Sequence, residues 1–325
     1  MPSDKRSFCA TGEISPNVLA LEAELGAIMG DRVRRHEPMA QHTPLRVGGP
    51  ADLWVTVVTL DELITAVQLA RRHRCPVLLI GSGANLLVSD KGVRGLVIQN
   101  RCEGTTFILH DRPRALVLSG THLAPLARMA MRHGLSGLEW AIGVPGTLGG
   151  ALVNNAGAFG GCIADRLVRA ELLTPSGERV WQPTEWFEYG YRSSRLKGAT
   201  AGSEGAYIVL QAELCFDRAS PLEIEDRMNH FNAQRKRTQP SGASLGSVFK
   251  NPPGDYAGRL IEAAGLKGRQ IGGARISEHH ANFFLNIGQA CAGDFVALIE
   301  LARETVRARF GVEMELEIQQ AGEWE

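Results

Sequence analysis

Residues 77–90, VLLIGSGANLLVSD, carry an apolar run into a loop with glycines at 81 and 83. Many nucleotide sites begin this way, because backbone without a Cβ lets amide N–H groups approach a phosphate closely. The dinucleotide fingerprint G-x-G-x-x-G is not completed here: its third place is Leu86, and an extended apolar run follows. A second loop, GVPGTLGGALVNNAGAFGG at 143–161, holds glycines at 143, 146, 149, 150, 157, 160 and 161. Such density costs backbone entropy, so it calls for a cause, either tight turns between strands or backbone pressed against a ligand. Neither loop contains lysine or arginine, which excludes G-x-x-x-x-G-K-[ST] and disfavours triphosphate chemistry. Consecutive amides in tight turns still form an anion-binding nest without side-chain charge, and Asn85 adds an amide donor. The guest that suits two such loops is a pyrophosphate-containing cofactor.

The elements that must position these loops read as an α/β succession. LWVTVVT (53–59) is rich in β-branched residues and predicts a strand, and Thr59 with Glu62 forms a capping box for the helix DELITAVQLARRHR. PVLLIG, GLVIQ and ALVLSG predict short strands, with a helix near LAPLARMAMRHGL. RAELLTPSGERVWQPT predicts a hairpin turning at Pro175, Ser176 and Gly177, and YIVLQAELCF predicts another strand. Ser220-Pro221-Leu222-Glu223 combines a capping box with proline at the first helical position, starting a helix to about Arg237. Beyond it, helices are expected at DYAGRLIEAAG and CAGDFVALIELARETVRARFG, and strands at NFFLNI and MELEIQ. The expected organisation is a helical appendage over 1–40, a cofactor domain of two subdomains over 41–218, and a last domain over 219–325.

A chain of 325 residues has room for two or three domains. Its 35 basic and 35 acidic side chains balance, so charge recommends neither a nucleic-acid nor a membrane-surface partner. The six cysteines, at 9, 75, 102, 162, 215 and 291, form no C-x-x-C pair, which argues against a disulfide frame or a zinc site; no metal is expected. The N-terminus lacks the apolar stretch of a signal peptide, and no apolar run reaches the roughly 18 residues of a membrane span. A cytoplasmic monomer is expected.

Six segments in order, TPLRVGGPAD (43–52), GSGANLLV (81–88), GVPGTLGGALVNNAGAFG (143–160), YRSS (191–194), GSVFKNP (246–252) and SEHHANFFLN (277–286), resemble the UDP-N-acetylenolpyruvoylglucosamine reductases (MurB). The likeness runs from residue 43 to about 318. It implies an α+β fold: an FAD-binding domain of the vanillyl-alcohol-oxidase type with two α/β subdomains, followed by a C-terminal α+β substrate-binding domain. It also implies FAD as the guest of both loops, for which a missing third glycine is expected, and NADPH as co-substrate. Carried over residue by residue, the cofactor contacts would be Arg46, then Gly81, Ser82, Gly83, Ala84, Asn85 and Leu86. In the second loop they would be Gly143, Val144, Pro145, Gly146, Thr147, Gly149, Gly150 and Ala151. Ala84 stands where the family often has serine, removing one side-chain contact but not the backbone grip.

The resemblance implies a reacting set of Arg192, Ser247 and Glu317. In the family, reduced flavin passes a hydride to the methylene carbon of an enolpyruvyl ether, and the adjacent carbon takes a proton. A guanidinium at 192 would stabilise the enolate charge that appears in the transition state, and the Ser247 hydroxyl would donate the proton. Glu317 would hold the acid form of the substrate carboxylate or support the other two residues. Glu313 and Glu315 lie close to it, and Leu316 replaces the proline common in the family. Tyr191, Lys250, Asn251 and His280 would contact the sugar nucleotide. RSSRLKGATAGSEGAYIVL passes quickly to a strand, which resembles the shorter of two family types, without an extra tyrosine-bearing loop.

Two other readings compete. An oxidase of the same fold would use dioxygen; many such enzymes hold flavin through histidine, which neither loop contains, and GSVFKNP would go unexplained. A non-catalytic nucleotide sensor would need the loops but leave Arg192, Ser247 and Glu317 idle.

Overall fold

Ser15 caps and Pro16 opens the helix Pro16–Met29, whose apolar positions Val18, Leu21, Leu25 and Met29 recur at helical spacing on one buried face. The computed structural model describes residues 14–198 and 206–324. The face of this first helix packs into the same core as the helix Leu60–Arg72 and the strands Pro50–Val57, Val77–Ile80 and Val93–Asn100. Those strands pair in parallel, with Val93–Asn100 central, and Val33–Pro38 joins antiparallel at the edge of Pro50–Val57. Residues 16–38, expected within an appendage, are therefore a wall and an edge of the first sheet. The sequence VRRHEP hides this because an edge strand exposed along most of its length shows no apolar alternation. Thr59 caps Leu60–Arg72 as expected, its hydroxyl accepting from the Glu62 amide.

A second sheet has five antiparallel strands in the order Arg179–Pro183, Leu167–Leu173, Ile208–Cys215, Arg114–Leu118, Thr105–Ile108. The hairpin turning at 175–177 forms as read. The helix Leu123–Arg132 covers this sheet, and so does Pro221–Thr238, which buries Ile224 and Met228 in the same core. That last helix, assigned from sequence to the final domain, thus packs with the second sheet. Its apolar face is too sparse to announce its partner.

The third unit packs Ala257–Ala263 and Ala292–Phe310 against a small antiparallel sheet of Gln270–Ile271, Ala274–Ile276 and Phe284–Asn286. Two devices fasten it to the first. Asp90 accepts hydrogen bonds from the Ala292 and Gly293 amides (2.8 and 3.0 Å), capping a helix 202 positions away. Gln319–Ala321 then pairs in parallel with Leu86–Val88, directly after the first glycine loop. Of MELEIQ, expected as a strand, only its last residue, Gln319, enters regular pairing. Residues 315–317 instead run extended beside 248–250, with Lys250 N donating to Glu315 O and Glu317 N to Val248 O (both 2.8 Å).

Among the described residues no helix is long and apolar enough to cross a membrane, and no cluster of three or more His, Cys, Asp or Glu could hold a metal ion. Cys75 and Cys102 are buried thiols, pushed up to about 11 and about 12 by burial.

Candidate active site

The two glycine loops lie against each other. A Cβ on Gly81 would collide with the Thr147 side chain, so the absence of one lets the loops meet. Gly83, at φ +66°, presses on the His42 carbonyl of the turn that carries Arg46. Arg46 is exposed on that turn. No loop or turn hydrogen bond among the described residues uses the amides of Ser82, Gly83, Ala84 or Asn85 as donor, whereas the Leu86 amide closes the turn onto Gly83 O. The Ser82 hydroxyl is buried without a partner. A cleft of about 360 Å³ opens beside it, bounded by Gly81, Ser82, His42, Asn100, Arg101 and His122.

In the second loop the Leu148 and Gly149 amides bind Thr121 O and Ser119 O (2.9 and 2.8 Å), holding residues 146–149 along the 119–123 segment. Thr147 then starts a short helix, Leu148–Asn154, which the glycine count had concealed. Val144 N donates to Ala141 O, and Pro145 has no N–H, so those two offer no free amide. Trp140 Nε1, Asn154 Oδ1 and Arg235 Nε are further buried polar atoms without partners around this loop. Unpartnered amides and orphaned polar atoms on two touching loops fit an anionic cofactor held by backbone.

From the end of that helix the chain reaches the expected reacting set. Asn155, in the left-handed conformation that ends Leu148–Asn154, donates from Nδ2 to Gly190 O (2.9 Å), and Ser194 Oγ donates to Val153 O (2.6 Å). These bonds clamp the YRSS turn, itself closed by Gly190 and Ser193. Arg192, at φ +53°, is thereby aimed inward, its Nη2 donating to Gly157 O (2.6 Å) and Nη1 to Asn155 O (3.4 Å). Its Nε donates to Glu317 Oε1 at 2.8 Å, and both side chains are about four-fifths buried.

Ser247 follows Gly246 (φ +78°) and bridges to Phe283. Behind it, buried Asn282 holds the Phe249 backbone from both sides, accepting from its N–H (2.9 Å) and donating to its carbonyl (2.8 Å). Among the described residues no hydrogen bond engages the Ser247 hydroxyl. Glu317 N binds Val248 O, one residue on from Ser247, and Glu317 O accepts from Asn85 Nδ2 at 3.1 Å. Three segments distant in sequence, the first glycine loop, the arginine turn and the serine segment, therefore converge on residue 317. The neighbouring glutamates point elsewhere: Glu315 pairs with Lys250 (2.8 Å) and Glu313 with Arg307 (3.6 Å).

The expected substrate contacts divide. Lys250 lies near the set, and Tyr191 is exposed with its ring 5.4 Å from the Arg192 guanidinium. Asn251 Oδ1 is occupied by the Ala257 amide (3.1 Å), starting a helix, while its NH₂ makes no bond among the described residues. His280 packs against Gly258 and Phe283 and accepts at Nδ1 from the Asn282 amide (3.2 Å); burial lowers its pKa and favours the neutral ring. Lys197, not singled out from sequence, is half-buried and donates to Arg192 O (2.8 Å), its pKa lowered by burial and then by the charges of Lys250 and Arg192. Arg235, from the helix Pro221–Thr238, lies beside Gly143 and over the Phe159 ring at 5.1 Å. Sequence reasoning passed over all four of Asn155, Lys197, Arg235 and Asn282, although Asn155 and Asn282 lie inside the family-like segments 143–160 and 277–286.

The sequence matches the UDP-N-acetylenolpyruvoylglucosamine reductase C-terminal domain over residues 238–321 and an FAD binding domain over 51–182. The reductase of that name from Chloroflexus aggregans is 47% identical over 290 residues, 88% of this chain and 96% of the relative. The one from Moorella thermoacetica is 42% identical over 307 residues, 94% and 99% of the two chains. The crystal structure of MurB from Thermus caldophilus is 38% identical, superposes with a TM-score of 0.75, and covers 89% of this chain and 99% of its own. With identities of this size over nearly the whole length, the chain belongs to the UDP-N-acetylenolpyruvoylglucosamine reductase family.

Proposed function

We propose that this protein reduces UDP-N-acetylglucosamine enolpyruvate to UDP-N-acetylmuramate with NADPH, in peptidoglycan precursor synthesis, with Ser247 as proton donor. The observation that carries this is the convergence of Arg192, the Ser247 segment and the first glycine loop on Glu317. FAD fits the two loops, where the free amides of 82–85 and the Ser82 hydroxyl would hold it, and when bound it supplies hydride transfer.

The chain's own residues do the rest. Of the five N–H donors of Arg192, three are engaged, leaving two for a ligand carboxylate and for charge that builds on it. Because those three bonds fix the fork beforehand, no reorganisation is needed when that charge appears. The Ser247 hydroxyl, with its backbone held through Asn282, is free to give a proton to a carbanion-like carbon. Glu317 and Glu315 offset two of the three charges of Arg192, Lys250 and Lys197, and the net positive charge that remains favours an anionic substrate. The segment that separates the family's two types continues through 199–205, outside the described residues, so assignment to the shorter type rests on sequence.

Anaerobic NADPH consumption, with and without the enolpyruvyl sugar nucleotide, tests this. Sustained consumption only with the nucleotide is expected; flavin reduced once and then stalled with nucleotide present would mean a different acceptor. Ser247→Ala should lower turnover by about two to four orders of magnitude while retaining flavin. Unchanged turnover in that variant would remove Ser247 from the mechanism.

A further inference from the structure

Asn85 was expected to offer its amide to the cofactor, yet the geometry gives it a different partner. Its Nδ2 donates to Glu317 O (3.1 Å), and its backbone carbonyl accepts from Gln319 N (2.8 Å). Both groups of one loop residue thus grip the segment that carries the carboxylate paired with Arg192. The residues on either side of Asn85 have different tasks, since Ala84 and Ser82 present free amides and Leu86–Val88 pairs with Gln319–Ala321.

We propose that Asn85 is a positioning residue for Glu317, transmitting occupancy of the first glycine loop to the carboxylate that orients Arg192. This rests on the reductase reading for its catalytic consequence, though not for the mechanical link itself. When amides 82–85 close on a diphosphate, the Asn85 side chain is fixed with them, and residue 317 is fixed in turn. A reacting group displaced by about 1 Å loses on the order of 100-fold in rate, so one amide bond is enough to matter.

The test uses full-length Asn85→Ala and Asn85→Asp, the second keeping the side-chain volume while removing the N–H donor. Anaerobically pre-reduced protein is mixed with the enolpyruvyl nucleotide, in the wild-type and the Glu317→Gln backgrounds. Reoxidation should slow about tenfold or more in the wild-type background and less than about twofold further once Glu317 is gone. FAD affinity should stay within about threefold. Equal losses in both backgrounds, or a loss confined to FAD affinity, would overturn the proposal. A second readout needs no turnover: hydrogen exchange at the Glu317 amide, which FAD loading should slow in the wild type and much less in Asn85→Ala. Equal slowing in the two also overturns it. If wild-type protein is not reoxidised by the nucleotide, the reductase reading fails, while the exchange result still decides the role of Asn85.

Discussion

A lysine at position 192 would keep the charge and lose the fork. Arg192 binds Glu317, Gly157 and Asn155 through separate N–H groups from a left-handed backbone conformation, and an ammonium cannot span all three. Arg192→Lys is therefore expected to lower turnover by on the order of 100-fold with flavin retained, as read by steady-state rates and the visible spectrum. Turnover within about threefold of wild type would show that charge alone suffices there. At this scale the sequence was legible where a residue sits inside a recognisable segment. YRSS and GSVFKNP singled out Arg192 and Ser247, and the structure pairs Arg192 with Glu317 and runs the segment after Ser247 beside it. It was not legible where one residue stands among equals: only the extended backbone beside 248–250 shows why Glu317, rather than Glu313 or Glu315, meets the arginine.

Between elements, the telling contact is Gly81 against Thr147. A methyl group at 81 would have to displace the whole threonine side chain and part the two loops. Gly81→Ala is expected to weaken FAD binding about tenfold or more in a fluorescence titration of the apoprotein, with the remaining fold intact by circular dichroism. Affinity within about twofold would mean that the loops do not grip as one. Glycine density foretold both loops, since glycine is needed where backbones meet, but it concealed the helix Leu148–Asn154. Two adjacent glycines in its first turn lower its intrinsic propensity, and packing of Leu148, Ala151 and Leu152 overrides that. The helix Pro221–Thr238 shows the converse: its start was legible from Ser220 and Pro221, while its partner, fixed by Ile224 and Met228, was not.

For the molecule as a whole, an ion pair ties its first segment to the start of the helix Leu60–Arg72. Arg32 donates to both oxygens of Glu62 (2.8 and 2.7 Å), and this pairing holds the Glu62 carboxyl down to about 2 from its ordinary 4.5. A carboxyl whose folded pKa is depressed contributes stability that is present above its unfolded pKa and lost as pH falls through the folded one. The window is therefore about pH 4.5 to 2. Glu62→Gln should be less stable than wild type above that window and should flatten the acid limb within it, as measured by urea midpoints at several pH values. An unchanged acid limb would remove the pair from the stability of the fold. The succession of strand and helix signals made most elements legible, but not the packing partners of Val33–Pro38 and Pro221–Thr238, because an exposed edge strand and a sparsely apolar helix carry no mark of the core they join.

The parallel pairing of Leu86–Val88 with Gln319–Ala321 also governs the order of assembly. Asn85 and Glu317 are separated by 232 positions, so at about 5–20 residues per second the ribosome needs roughly 10 to 50 s to supply what flanks the first glycine loop. Until then the loop is bordered by an unpaired apolar strand, a surface that invites mispairing with other chains. The Arg192–Glu317 pair accordingly belongs to the end of synthesis, and a chain interrupted before residue 317 would carry most of a cofactor domain without being able to finish the site.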